Sequence, residues 1–129
     1  MIPVIFINCT IEPYIDDIMC RLKEYETRNR NTLGRFLGER VLLAETGSGT
    51  TLVRCSAVID KIITVYTKEA WEEYLGQTWV PVGSKHDWQP DTKVKWLYSL
   101  SDVHPVEPFR LPSSCRRHGR IWAEYEGRI

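Results

Sequence analysis

Net charge of either sign is missing from this chain. Seventeen Lys and Arg residues balance seventeen Asp and Glu among 129 residues, so no molecule-wide field attracts a polyanion, and general duplex binding through phosphate neutralisation is not expected. No apolar run reaches the length of about eighteen residues that a spanning helix needs, so no membrane partner is expected. The segment Met1 to Ile7 is apolar but has no charged lead and no small-residue cleavage site, which reads as a strand and not a signal peptide. Cysteine is sparse: Cys9, Cys20, Cys55 and Cys115 show no Cys-x-x-Cys spacing, so reduced thiols in the cytoplasm are the simplest account. His86, His104 and His118 are scattered, and Cys115 with His118 offers two ligands where zinc takes three or four; no metal and no cofactor are expected. Gly47-Ser48-Gly49 is not followed by Gly-Lys-Ser/Thr and reads as a turn, and neither a dinucleotide fingerprint nor a Gly-x-Ser-x-Gly elbow occurs.

What is present suits one globular domain, with 43% hydrophobic and 26% charged residues. Val4-Ile5-Phe6-Ile7 is a short apolar run, as for a strand buried on both faces or at a barrel seam. Ile11, Tyr14, Ile15, Ile18, Met19 and Leu22 then form one stripe at helical spacing. Pro13 belongs in the first turn of that helix, and Asp16 and Asp17 suit its N-terminal half. Arg40 to Glu45 and Thr51 to Val58 flank the Gly-rich turn as a hairpin, and the β-branched run Val58 to Tyr66 continues as one long bent strand or two. Thr67 caps a second, short helix expected to end at Gly76. The irregular stretch 77–92 carries Trp79 and Trp88, rings that either pin a loop to the core or stack on a ligand. Val94, Trp96, Tyr98 and Leu100 make the aromatic face of a further strand, expected to close a barrel. Residues 104–120, with three prolines, read as a long loop, and Ile121 to Tyr125 as the last strand. Five or six strands with two or three short helices indicate an α+β or mainly β fold, and a monomer is expected because no exposed apolar patch is identifiable.

The chemistry concentrates in Lys23-Glu24-Tyr25-Glu26-Thr27-Arg28-Asn29-Arg30. In an extended segment alternate side chains share a face, so Glu26 and Arg28 point one way and Tyr25 and Thr27 the other. Lys23 lies where helix hands over to strand and is free to turn toward the Glu26/Arg28 face. An ammonium, a carboxylate and a guanidinium can therefore converge on one small polar ligand, whereas plain surface ion pairs would contribute only about 0–1 kcal/mol. From Arg21 to Arg40 there are six basic residues (Arg21, Lys23, Arg28, Arg30, Arg35, Arg40) against three acids (Glu24, Glu26, Glu39), a locally positive region in a neutral protein.

The pattern Lys23-x-x-Glu26-x-Arg28 behind a helix resembles the signature of the ASCH family, Gly-x-Lys-x-x-Glu-x-Arg. Gly38-Glu39-Arg40-Val41 is similar to that family's Gly-Asp-x-Val strand. One departure is visible: Arg21 stands at the signature glycine. The resemblance implies a small PUA-like β-barrel, a fold associated with RNA recognition. It implies a cleft in which Lys23 and Arg28 meet phosphate or base acceptors and Glu26 accepts from an exocyclic amine. Tyr25 or Trp88 would stack a base, and Arg30, Arg35, Arg116, Arg117 and Arg120 would guide the strand. The ligand is then RNA, or a nucleoside or nucleotide. The alternative implied is an amidohydrolase of N4-acylated cytidine. Members of that kind are thought to use a threonine nucleophile where this chain has Glu26, while Thr27 is offset by one residue onto the opposite face. Glu26 would then serve as general base on water, with Lys23 or Arg28 at the oxyanion.

Overall fold

In the computed structural model, which describes residues 1–128, the N-terminal apolar run is β1 (Ile2–Asn8). It is buried on both faces, as its unbroken hydrophobicity requires. Ile5 and Ile7 enter one core cluster and Val4 and Phe6 a second. Next come α1 (Tyr14–Met19), β2 (Tyr25–Arg28), β3 (Arg40–Thr46) and β4 (Leu52–Val65). They are followed by α2 (Lys68–Glu72), α3 (Leu75–Thr78), β5 (Lys95–Arg110), β6 (Arg116–His118) and β7 (Trp122–Tyr125). The strands form a single mixed sheet in the order β2-β5-β4-β3-β1-β7-β6. β1 runs parallel to β3 and antiparallel to β7. Tyr14, Ile15 and Ile18 of α1 pack with Trp71 of α2 onto the larger cluster.

The expected five- or six-stranded closed barrel is corrected by this order. The sheet has seven strands, and among the described residues no ladder joins its edges, β2 and β6. The long strands β4 and β5 slip register at three places along their shared ladder, and such bulges bend a sheet and increase its twist. The bend carries β2 round toward the C-terminal end of β1, but the two strands meet through a side chain. β7 pairs with β1 only as far as Ile5. Beyond it the Phe6 carbonyl accepts a hydrogen bond from Arg28 Nη2 at 2.8 Å.

The stretch 104–120 is likewise no long loop. Residues 104–110 complete the sixteen-residue β5, and 116–118 form β6. Proline is tolerated there because β2 pairs with β5 only from Trp96 to Ser99, leaving the far half of β5 open on that side. Pro108 falls where the register against β4 slips between Val53 and Cys55. The second helix does not end at Gly76 either. It breaks after Glu72 and resumes as α3, closed by Trp79 at φ 56°. Its start is as expected, with Thr67 Oγ1 accepting from the Ala70 amide at 3.1 Å.

α1 is shorter than its apolar stripe, for Ile11 and Leu22 lie outside it and are exposed. Its C-terminal exit passes through Arg21, at φ 70°. The left-handed conformation explains why the signature that this segment resembles has glycine there. A non-glycine residue is strained in that region by about 1–2 kcal/mol, partly offset by the greater freedom glycine brings to the unfolded chain. Arg21→Gly is therefore expected to raise the urea midpoint, equivalent to about 0.5–1 kcal/mol. A lowered midpoint would mean that the arginine side chain contributes more than its backbone costs.

Candidate functional site

The turn after α1 and the first residues of β2 bring three charged groups to one place. Lys23 Nζ lies 3.6 Å from Glu26 Oε1, and Arg28 Nη2 donates to Glu26 Oε2 at 3.0 Å. Strand alternation puts Glu26 and Arg28 on one face. The tight exit from α1, where the Leu22 and Lys23 amides both donate to the Asp17 carbonyl, turns Lys23 inward beside them. The lysine side chain is 1% exposed, the glutamate 9% and the arginine 20%, so these are not surface ion pairs. Lys23 Nζ also donates to the Thr78 carbonyl at 2.6 Å and lies 4.5 Å from the centre of the Tyr14 ring.

Burial by itself would push the Glu26 carboxyl up. The Arg28 guanidinium, the Lys23 ammonium and the Thr27 amide, which donates to Oε1 at 3.0 Å, overcome that and hold it below the usual carboxylate range. Loss of water pulls Lys23 down from its ordinary value, with Glu26 opposing and Arg28 assisting.

These groups line a cleft of about 230 Å³ between the end of β1, β2 and the loop before β5. The loop is held by Asp87, whose carboxylate accepts from Trp71 Nε1 at 2.7 Å and from the amides of Trp88 and Gly83, each at 2.8 Å. Burial would raise this carboxyl. The Gly83 amide, the Trp71 indole and the Trp88 amide bring it below its ordinary value, as does Lys95. Pinned in this way, the loop carries Lys85 and His86 to the cleft. His86 Nδ1 and the Tyr14 hydroxyl are 2.9 Å apart. Desolvation lowers the basicity of the imidazole, and burial raises the phenol above its ordinary range. Lys95, buried at the start of β5, donates to Asn29 Oδ1 and to the His86 carbonyl, both at 2.9 Å. The lining thus holds four cations, Lys23, Arg28, Lys85 and Lys95, around a single carboxylate. It can bind a polar ligand that carries negative charge and hydrogen-bonding edges.

A second hollow of about 500 Å³ lies across Arg28, lined in part by Phe6, Thr51, Arg117 and Arg120. Arg28 and Asn8 belong to both.

No protein-family model and no curated protein sequence matches the chain. Solved structures do. ASCH from Zymomonas mobilis superposes with a TM-score of 0.70 at 21% identity, over 84% of this chain and 73% of that one. A tyrosine-to-phenylalanine mutant of the same protein gives 0.70 and 21% over 84% and 75%. The corresponding serine-to-alanine mutant gives 0.69 and 20% over 83% and 72%. The chain has the ASCH fold.

Within this ASCH fold the residues singled out from sequence separate into groups. Lys23, Glu26 and Arg28 share the cleft, and Thr27 lies in its wall with its amide bound to Glu26. Arg117 and Arg120 line the neighbouring hollow. Tyr25 is buried edge-on against Tyr74, and Trp88 packs against the main core, so neither lines the cleft. Arg35 stacks over Trp122 at 4.8 Å, Arg116 Nε lies 3.6 Å from Glu124 Oε2, and Arg30 is exposed outside both hollows. Tyr14, His86 and Lys95 were missed. The first looks like core because most of it is core, at 4% exposure, and only its hydroxyl reaches the cleft. The other two arrive through long-range contacts that no local pattern records. Among the described residues no cluster of three or more potential metal ligands occurs, and no helix is long and apolar enough to cross a membrane. All four cysteines are free.

Proposed function

We propose that this ASCH module, acting as a monomer, recognises a nucleotide of single-stranded RNA in the Lys23/Glu26/Arg28 cleft. The observation that carries the reading is the local imbalance of charge: among the described residues four cationic side chains surround one carboxylate in a chain whose charges cancel overall. Glu26 keeps acceptor capacity on both oxygens beyond its present partners, as a base's exocyclic amine requires. The His86 imidazole, with the Tyr14 hydroxyl beside it, takes the place in the cleft wall that the sequence suggested for Tyr25 and Trp88. A splayed-out base fits such a recess, and a duplex does not.

The hydrolytic alternative has less support. A general base needs a pKa near the working pH, and Glu26 is held below the ordinary carboxylate range by partners that already occupy it. On this reading N4-acetylcytidine yields no cytidine on incubation with the protein; its release would replace binding by hydrolysis. Fluorescence anisotropy with a mixed-sequence single-stranded RNA is expected to show binding that weakens as salt rises. Lys85→Ala should weaken it about three- to tenfold through loss of one cation, without unfolding, because Lys85 is exposed. The absence of any anisotropy change at low salt would end the proposal.

A further inference from the structure

The cleft is too small to be the whole site. At about 230 Å³ it falls below the range of roughly 300–1,000 Å³ typical of sites that enclose a small ligand, while the adjoining hollow of about 500 Å³ lies within it. The two share Arg28 and Asn8 as a common ridge. Of the Arg28 guanidinium only Nη2 hydrogen-bonds to protein among the described residues, donating to the Phe6 carbonyl and to Glu26. Its Nε is buried without an acceptor, the kind of orphan that a nearby bound anion relieves. Asn8 directs its Oδ1 to the Thr10 amide and hydroxyl, at 2.9 and 2.6 Å, which leaves its Nδ2 hydrogens for another acceptor.

The lining of the second hollow is cationic. Its charged residues are Arg28, Arg117 and Arg120, with no acid among them. Arg117 is braced in place, its guanidinium 5.4 Å from the Phe6 ring centre and its Nη1 donating to Thr51 Oγ1 at 3.4 Å. The adjacent turn closes tightly because Gly47, at φ 102°, has no Cβ; one would lie 2.5 Å from Thr10 Cγ2. Three guanidiniums around an otherwise uncharged recess match phosphate oxygens.

Building on the nucleotide reading of the cleft, we propose that the protein binds an oligonucleotide in two subsites. One nucleotide sits in the Lys23/Glu26 cleft and its neighbour in the Arg117/Arg120 hollow, with the phosphodiester between them lying over Arg28 and Asn8. The ligand class is therefore a chain of at least two linked nucleotides, and a free nucleoside or nucleoside monophosphate fills only half the site.

Calorimetric titrations with the four nucleoside monophosphates and with mixed-sequence RNA trinucleotides test this. The trinucleotides are expected to bind at least tenfold more tightly than the best monophosphate. The double variant Arg117→Ala/Arg120→Ala should abolish that gain, leave monophosphate binding within twofold, and reduce the slope of log K against log salt for the trinucleotide by about 0.7, the value of one phosphate contact on a single strand. All these side chains are exposed, and Arg116→Ala, which removes a charge facing Glu124 outside the hollow, should change nothing and so controls for loss of net charge. Equal affinities for monophosphate and trinucleotide, or a gain that survives the double variant, would overturn the two-subsite arrangement and leave the nucleotide cleft standing. Binding of neither ligand would overturn both.

Discussion

Replacing Glu26 with alanine is expected to cost about 3–5 kcal/mol of stability, more than any other single change in the cleft, because it strands the buried Lys23 ammonium beside the half-buried Arg28 guanidinium. Among the described residues Glu26 is the only carboxylate lining the cleft, with Lys23 Nζ at 3.6 Å and Arg28 Nη2 at 3.0 Å. Once it is gone, Lys23 retains the Thr78 carbonyl and Arg28 the Phe6 carbonyl, which satisfies donors but neutralises nothing. Glu26→Gln keeps the volume and an acceptor oxygen, so its loss should be smaller. The double variant Lys23→Ala/Glu26→Ala should cost about 1–3 kcal/mol less than the sum of its single changes, since the groups are coupled. The pH dependence has a fixed sign. Glu26 has a folded pKa below its unfolded value, so its contribution is complete above the ordinary glutamate pKa and is lost as pH falls through the folded one. Urea midpoints of the parent, Glu26→Ala, Glu26→Gln, Lys23→Ala and the double variant at pH 7 and pH 4 measure all of this. A Glu26→Ala protein as stable as the parent would mean that the three groups do not form one buried unit.

The convergence of Lys23, Glu26 and Arg28 was legible because it is local. Two of the three are fixed by strand alternation, and the third by the short turn out of a helix whose apolar stripe is plain. The left-handed residue at that turn was legible in a different way, as an arginine standing where a signature glycine belongs. Closure of the sheet was not legible. Whether the edges of a bent sheet meet by hydrogen bonds or by an arginine reaching a carbonyl depends on three register slips between β4 and β5, and no residue pattern marks those slips. The 104–120 stretch misled for a related reason. Proline argues against a central strand, but the second half of β5 is paired on one side only, a fact of topology. Lys95 alternates in sequence with the face made by Val94, Trp96, Tyr98 and Leu100, a pattern that ordinarily leaves such a lysine in solvent. It is buried because the 79–94 loop folds over it, tied down by Asp87 to the Trp71 indole sixteen residues back in the sequence, a contact that periodicity does not report.

The pair Asp16 and Asp17 looked equivalent as favourable charges near a helix N-terminus, and the structure separates them. Asp16 is exposed and pairs with Arg54 at 2.7 Å. Asp17 is buried, with Oδ2 unpartnered. Burial pushes the Asp17 carboxyl up to about 7, helped by Glu12, which shares a hydrogen bond with the protonated acid and repels the ionised one, while Lys23 pulls the other way. The folded chain therefore holds this proton more tightly than the unfolded chain does. Below the unfolded pKa of about 3.9 both states are protonated and the group has no effect. Between there and 7 stability falls as pH rises, and above 7 the full penalty remains, on the order of 2–4 kcal/mol at about 1.4 kcal/mol per pKa unit. Asp17→Asn is neutral at every pH and can donate to Glu12. It is expected to match the parent in urea midpoint near pH 4 and to exceed it increasingly up to pH 8. If the two proteins instead differ by the same amount at both pH values, Asp17 is ionised throughout. The proton then lies elsewhere, and α1 is anchored by the Lys23 attraction instead of weakened by a buried charge.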